Sequence, residues 1–395
     1  MKKIIRKAFK YRLNPTPSQQ QKLFEFAGCA RFIWNKSLSM SLLRLESKQP
    51  IIWYQEMAYW LKAWKQSFEY SFLADCHSQV LQQKLKDLEK AFRDGFDRNQ
   101  PLKRIPVFKK KGLGDSFRYP QGFKLNQANN KVYLPKLGWV KYYNSRALTG
   151  DIKNITVSRR GGHWYVAIQV EAEVVIPSHS SKSIVGLDMG VKRFVTLSDG
   201  SYVNPLNSFR KLENKLAFTQ RKLSKKTKFS NNWRKQKQRI AKLHEDIANV
   251  RLDFLHKLST KISKSHAMVI VEDLKVRNMS KSAKGTKDQP GKNVRAKAGL
   301  NKSILDQGWS MFVNMLNYKQ IWRGGGLIKV PAHHTSQTCP DPDCGHVAKA
   351  NRQSQAIFNC IKCHYKNHAD LVGALNVLAR GHRVLACGET ALAAC

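Results

Sequence analysis

Four cysteines near the C-terminus constrain this 395-residue chain more than any other feature. Cys339 and Cys344 form one pair, Cys360 and Cys363 a second, and fifteen residues lie between the pairs. Two close pairs joined by a short β hairpin suit a tetrahedral Zn²⁺, because each pair makes a tight turn that points two thiolates inward. The first pair encloses four residues where two are commoner. Four unrelated buried cysteines are the plain alternative, and the spacing argues against it. His346 and His364 flank the cluster, but four thiolates already close the site, so neither is expected to be a ligand. A closed site leaves no position for substrate, which makes this ribbon structural and dependent on metal for folding. Cys29, Cys76, Cys387 and Cys395 are scattered. Together the eight cysteines point to metal binding in a reducing compartment and not to a disulfide framework.

Charge narrows the partners. The chain carries 70 Lys and Arg against 27 Asp and Glu, a formal +43. Self-repulsion on that scale destabilises a compact state unless a polyanion neutralises it. The excess runs through every region and is interleaved with Trp, Tyr and Phe, which suits phosphate contacts combined with base stacking. No stretch approaches the roughly 20 apolar residues of a membrane span. The basic N-terminus has no apolar run behind it, so no signal peptide is expected. The expected location is the bacterial cytosol, in association with the nucleoid, with no membrane partner.

Residues 4–13 read as a strand. Thr16-Pro17-Ser18-Gln19 then opens a helix, with Thr16 as N-cap, Pro17 in the first turn and Gln19 closing a capping box. Leu23, Ala27, Ala30, Trp34, Leu38 and Leu42 follow at helical spacing. Further helices fit 53–66 and 77–96, the latter with Leu81, Leu85, Leu88 and Phe92 on one face. From about 101 to 175 the pattern becomes short β segments, including 131–134 and a hairpin of 155–158 with 163–170 across Gly161-Gly162. The first strand is expected to join these strands, which makes the helices an insertion. After a polar break come strands at 184–188 and 194–197 and a very basic helical stretch over 208–262. Ile240, Leu243, Ile247, Phe254 and Leu258 supply its buried stripe. An apolar strand over 267–271 leads to Glu272, and the basic, polar segment 277–299 reads as a mobile loop. A helix (303–322), a strand (326–330), the cysteines and a helix over about 369–380 complete the chain.

Three carboxylates stand out where acidic residues are scarce. Asp188 ends a strand that turns into a hairpin, an RNase H-like beginning. Glu272 ends the next strongly apolar strand, and Asp370 opens the last helix. Phosphodiester hydrolysis on two Mg²⁺ ions about 4 Å apart needs hard oxygen ligands converging from separate elements. Such ions activate the attacking water and stabilise the leaving 3′ oxygen. Each residue also has an ordinary reading. Asp188 could cap a turn, Glu272 could pair with a lysine, and Asp370 could be a helix-start charge favoured by the dipole. Asp273 alternates to the other side of its strand and is a poorer ligand candidate.

At these residues the chain resembles the TnpB (OrfB) family of transposon-encoded proteins, which are similar to type V CRISPR effectors. The likeness is carried by Gly186-Leu187-Asp188-Met189-Gly190, Val269-Ile270-Val271-Glu272-Asp273-Leu274 and Leu300-Asn301-Lys302-Ser303-Ile304. Thr335-Ser336-Gln337-Thr338-Cys339 and the Asp370 helix belong to the set, as do Tyr11-Arg12-Leu13-Asn14-Pro15-Thr16 and Trp34-Asn35. The resemblance therefore spans essentially the whole chain. Two departures are visible: the wide first cysteine pair, and Val372-Gly373 where many relatives carry Asn-Ala, which removes a polar contact there.

The resemblance implies a multidomain α+β protein. Residues 1–13 and 101–180 would form a wedge-like β-barrel, with 14–100 inserted as a helical recognition lobe. Residues 181–330 and 365–380 would form an RNase H-like (RuvC) α/β nuclease domain, with 277–299 as a lid-like basic loop. Residues 331–364 would be the inserted zinc ribbon and 381–395 a C-terminal tail. It implies a guide RNA derived from the transposon end and a double-stranded DNA target beside a short transposon-adjacent motif. It further implies catalysis by Asp188, Glu272 and Asp370 with Mg²⁺, and a structural Zn²⁺ on Cys339, Cys344, Cys360 and Cys363. Arg352, ahead of the second cysteine pair, is either a contact to the scissile strand or a plain surface charge. A transposase that joins strands and an RNA-guided repressor that does not cut are the rival readings. The repressor's sequence mark would be a lost carboxylate, and all three are present.

Overall fold

Strand β1 (Lys2–Asn14) alternates as a half-buried strand should, with Ile5, Tyr11 and Leu13 buried, Lys7 and Phe9 half-buried, and Arg6, Ala8, Lys10 and Arg12 facing out. Thr16 then caps α1 (Pro17–Glu46). Its hydroxyl accepts from the Gln19 N–H, and the Gln19 side chain accepts from the Thr16 N–H, so two otherwise unpaired donors are satisfied. These elements open the computed structural model, which describes residues 2–386. Helices α2 (Tyr54–Gln66) and α3 (Ser78–Phe96) follow, joined by a short 3₁₀ turn over Phe68–Ala74. Strands β2 (Ser116–Tyr119), β3 (Lys124–Asn126), β4 (Lys131–Leu134), β5 (Gly138–Tyr142), β6 (Asp151–Arg160) and β7 (His163–Val175) come next.

With β1 they form one seven-stranded sheet in the order β2-β6-β7-β1-β5-β4-β3. The first strand thus sits between β7 and β5, and the helices are an insertion between it and β2. The hairpin of β6 and β7 turns on Gly161 and Gly162, both at positive φ (54° and 90°), as a tight hairpin demands. Helices and sheet share one core. Leu23, Ile33, Leu85 and Phe92 of the helices and Phe117, Val140, Ile168 and Trp164 of the strands belong to the same buried cluster. Residues 2–174 form a compact unit of their own.

The second unit begins at Val175. It contains β8 (Ile184–Asp188), β9 (Val195–Leu197), β10 (Tyr202–Val203), α4 (Ser208–Ser224), α5 (Asn231–Ser265) and β11 (Met268–Glu272). Then come α6 (Val276–Met279), α7 (Val294–Gln307), α8 (Trp309–Arg323) and β12 (Gly326–Val330). A two-stranded ribbon of β13 (Ile357–Asn359) and β14 (Lys366–His368) leads directly into α9 (Ala369–Ala386). The five-stranded sheet runs β10-β9-β8-β11-β12, with β8 to β10 an antiparallel meander and β8, β11 and β12 parallel. Strand alternation splits its two faces. Val185, Leu187, Val269 and Val271 pack with Leu255 and Ile262 of α5 and with Phe312 and Leu316 of α8. Ile270 packs the other way, against Val377 of α9. Among the described residues no helix is long and apolar enough to cross a membrane.

Four boundaries differ from the sequence expectation. The stretch 208–262 is two helices, α4 and α5, parted by a turn over 225–230 that Ser230 closes by capping α5. The helix expected over 303–322 is also two, broken at Gly308, whose φ of 72° lies in the left-handed region that ends a helix. Segment 277–299 is only partly irregular, because α6 takes its start and α7 claims 294–299, where Arg, Ala and Lys are good helix formers. Helix α9 runs past residue 380 to Ala386, and the rest of the expected tail, 387–395, lies outside the described residues.

Candidate active site

Asp188 and Glu272 are placed by register. Parallel strands β8 and β11 pair Leu187 with Val271, so the next residue on each, Asp188 and Glu272, ends its strand at the same edge of the sheet. Ligand sites of open parallel sheets form at these carboxyl ends. Both residues share the parity of Gly186 and Ile270, the positions turned toward α9. A Cβ added at Gly186 would lie 2.4 Å from the Ala374 carbonyl oxygen, so the strand and helix backbones touch. One residue earlier on α9, a Cβ at Gly373 would lie 2.7 Å from Oδ2 of Asp188. Asp370, in the first turn of α9, lies close enough for its charge to act on Asp188, as that of Glu272 does. The structure therefore brings together the three carboxylates singled out by the sequence.

Their electrostatics follow from crowding. The Asp188 carboxyl is pushed up to about 8, first by burial, then by the negative charges of Glu272 and Asp370, with Arg352 partly offsetting them. Burial also raises Glu272, opposed by a hydrogen bond from Thr335 and the charge of Arg380. Arg352 Nη2 stands 3.9 Å from Asp370 Oδ1, so this arginine lies at the site. His368 accepts the Asp370 N–H at Nδ1, 3.2 Å away, at the start of α9.

Thr335 stood in the sequence only as part of the motif that runs to Cys339, with no role at the site, yet its hydroxyl donates to Oε1 of the buried Glu272. Asn376 of α9 in turn donates to the carbonyls of Thr335 and Thr338, at 2.8 and 2.7 Å. Arg380 donates to the Pro331 carbonyl at 2.6 Å and supplies positive charge toward Glu272. One available sign was Asn376 itself, a polar residue inside the buried stripe of Val372, Gly373, Ala374 and Val377. The Val372-Gly373 departure also has a physical account. Val372 is fully buried against the ribbon, and Gly373 leaves room for the Asp188 carboxylate.

The four cysteines converge beside this site. Their sulfurs all lie within 4.8 Å of one another. Cys339 Sγ is 3.5 Å from Cys363 Sγ, and Cys344 Sγ is 3.7 Å from Cys360 Sγ. A tetrahedron with metal–sulfur bonds of about 2.3 Å has edges of roughly 3.8 Å, so the set is compatible with zinc. Two tight turns shape it: Cys344 and Gly345 N–H groups donate to the Asp341 carbonyl, and the His364 N–H donates to that of Cys360. His346 and His364 are not part of the cluster. Buried Asn351 ties the halves together, donating to the carbonyls of Gln337 and His346 and accepting from Ile361 N–H. Among the described residues no other group of His, Cys, Asp and Glu is as closely gathered.

With a five-stranded mixed sheet flanked by helices and a thiol ribbon spliced between its last strand and last helix, the chain is a multidomain α/β protein whose fold resembles that of Cas12f1. The likeness to the cryo-EM structure of the Cas12f1–sgRNA–target DNA complex has a TM-score of 0.54 at 15% identity and covers 95% of this chain and 98% of that one. Three family models match: "Probable transposase" over residues 167–283, "Cas12f1-like, TNB domain" over 309–377 and "Helix-turn-helix domain" over 1–49. InsQ of Escherichia coli (strain K12), which carries the name of an RNA-guided DNA endonuclease, is 53% identical over 97% of this chain and 94% of its own length. A protein of Streptomyces pristinaespiralis with the same kind of name is 30% identical over 98% of this chain and 92% of its own. The chain belongs to the OrfB (TnpB) family of transposon-encoded proteins.

Proposed function

We propose that this chain is an RNA-guided DNA endonuclease that cuts guide-complementary DNA beside a short transposon-adjacent motif. The observation that carries the reading is the convergence of Asp188, Glu272 and Asp370, so crowded that Asp188 is held near 8 in a chain of net charge +43. Buried carboxylates that repel one another amid abundant lysine and arginine form a site for cations with oxygen ligands. The residues present fit Mg²⁺, which Asp188, Glu272 and Asp370 would hold. Bound there it would activate water and stabilise the leaving oxygen of a phosphodiester.

The chain's own groups do the rest. Thr335 fixes the orientation of Glu272 through its hydroxyl, and Asn376 fixes Thr335 through the backbone. Arg352 beside Asp370 offers a cation to the scissile phosphate. Zn²⁺ on Cys339, Cys344, Cys360 and Cys363 would hold the ribbon, and with it Thr335 at one end and Asp370 at the other. In this reading residues 14–100 are a recognition lobe and 1–13 with 101–180 a wedge-like barrel. Residues 181–330 and 365–380 are a RuvC-like nuclease, 331–364 its ribbon, and the basic segment 277–299 its lid. The basic surfaces hold guide RNA and heteroduplex by backbone shape, while base pairing selects the sequence.

Replacing Asp188 by Ala tests the reading. Cleavage of a plasmid carrying the guide-matched site should vanish, while RNA and target binding persist. Undiminished cutting would remove Asp188 from the site. The family description as a transposase favours a second reading, strand joining by the same carboxylates. A strand-transfer assay with transposon ends separates the two.

A further inference from the structure

The hairpin of α4 and α5 carries a surface that the carboxylates and the ribbon do not use. Between Glu213 and Glu245 the sequence holds no acidic residue and eleven Lys or Arg. At its tip Lys225, Lys228, Arg234 and Lys235 are exposed. Two aromatic rings sit among them. Phe229 is 71% exposed, and its φ of 69° places a bulky side chain in the left-handed region. Its ring lies 5.5 Å from that of Trp233, tilted by 52°. Lys237 Nζ stands 5.0 Å above the Trp233 ring, and Lys222 Nζ is 4.3 Å above half-exposed Phe218.

This arrangement is unfavourable in water. Like charges gathered on one turn repel, an exposed Phe forgoes burial, and left-handed backbone strains any residue with a Cβ. It is also stiff. Ser230 donates its N–H to the Thr227 carbonyl, while its hydroxyl accepts the Trp233 N–H at 3.1 Å, so the aromatic pair is locked to the start of α5. A rigid, exposed π-face ringed by cations has the chemistry that holds an unpaired nucleobase with its flanking phosphates. Duplex hides its base faces in the stack, so the ring favours a single strand or a flipped base.

We propose that the tip of this hairpin, Phe229 with Trp233 and the surrounding lysines, is a stacking site for an unpaired base of bound nucleic acid. This rests on the nucleic-acid reading given above, and the shared chemistry is a base with phosphates on either side, whether from RNA or from a displaced DNA strand.

The test uses the full chain and fluorescence anisotropy on four labelled probes: dT20, rU20, an abasic 20-mer and a blunt 20-base-pair DNA duplex. Phe229→Ala should weaken binding to dT20 or rU20 about tenfold, the scale of one base stack, with the salt dependence unchanged. Phe229→Trp should restore it, and the abasic strand should not distinguish the three proteins. Loss on rU20 alone identifies RNA as the source; loss on dT20 alone identifies DNA, and loss on both identifies either strand. Equal binding by wild type and Phe229→Ala to both single strands overturns the assignment, as does a loss confined to the duplex. If wild type binds none of the probes, the tip site and the nucleic-acid reading of the whole chain fall together.

Discussion

Replacing Asp188 by Asn should abolish activity and at the same time stabilise the Mg²⁺-free protein at alkaline pH. The folded carboxyl titrates at about 8 against an ordinary value of 3.8, because burial and the charges of Glu272 and Asp370 disfavour its ionised form. Between those values the folded state holds a proton that the unfolded state has released. Stability therefore falls as pH rises from about 4 to about 8 and is flat above. At about 1.4 kcal/mol per unit, a shift of roughly four units sets a ceiling near 5–6 kcal/mol. Asp188 keeps some contact with solvent, and its neighbours can ionise in its place, so the realised penalty is smaller, roughly 2–3 kcal/mol. Asn has the same shape and no charge. The variant should match wild type near pH 4 and unfold about 5–10 °C higher at pH 8.5, by the usual relation between stability and Tm for a unit of this size. The assay is scanning calorimetry without added Mg²⁺ and without chelator, so that the ribbon keeps its metal. Added Mg²⁺ should raise the wild-type Tm and leave the variant's unchanged. A difference between the proteins that does not vary with pH, or a variant less stable at pH 8.5, would refute the account of crowded carboxylates.

Three further outcomes follow from the same geometry. Thr335→Val removes the donor to Glu272 and should lower the cleavage rate about tenfold at unchanged RNA affinity, with Thr335→Ser restoring it; full activity in Val would show the bond to be incidental. Gly373→Ala places a methyl 2.7 Å from Asp188 Oδ2, so the carboxylate should swing aside on α9's flank, and a crystal structure of the variant with an unmoved carboxylate would contradict this. Stripping zinc with a chelator, or Cys360→Ser, should release the ribbon and with it Thr335, so protease sensitivity over 331–368 and loss of cleavage should appear together.

The elements were legible where their signals are local. The capping box at Thr16, the hairpin on Gly161-Gly162 and the strands ending at Asp188 and Glu272 lie where residue spacing puts them, because each depends on neighbours within a few positions. Breaks were harder to read. Gly308 parts α7 from α8 at a positive φ that the surrounding helical periodicity conceals. The start of α4 has no side-chain cap of its own; Asp306, from α7, accepts the Phe209 N–H and the Ser208 hydroxyl instead. A cap borrowed across nearly a hundred residues leaves no local trace.

By itself the sequence determined the chemistry available: four thiols in two pairs, three carboxylates at element ends, and a basic surface studded with aromatics. These are properties of residue type and spacing, and they survive any arrangement of the elements. Tertiary structure alone decided how the groups meet. Parallel register set Asp188 beside Glu272, and glycines at 186 and 373 let α9 close on them. Thr335 reached Glu272, and Arg352 reached Asp370, only because the ribbon folds back between β12 and α9. Those contacts join residues far apart in the chain, and their energies depend on distances and burial that no pattern of nearby residues encodes.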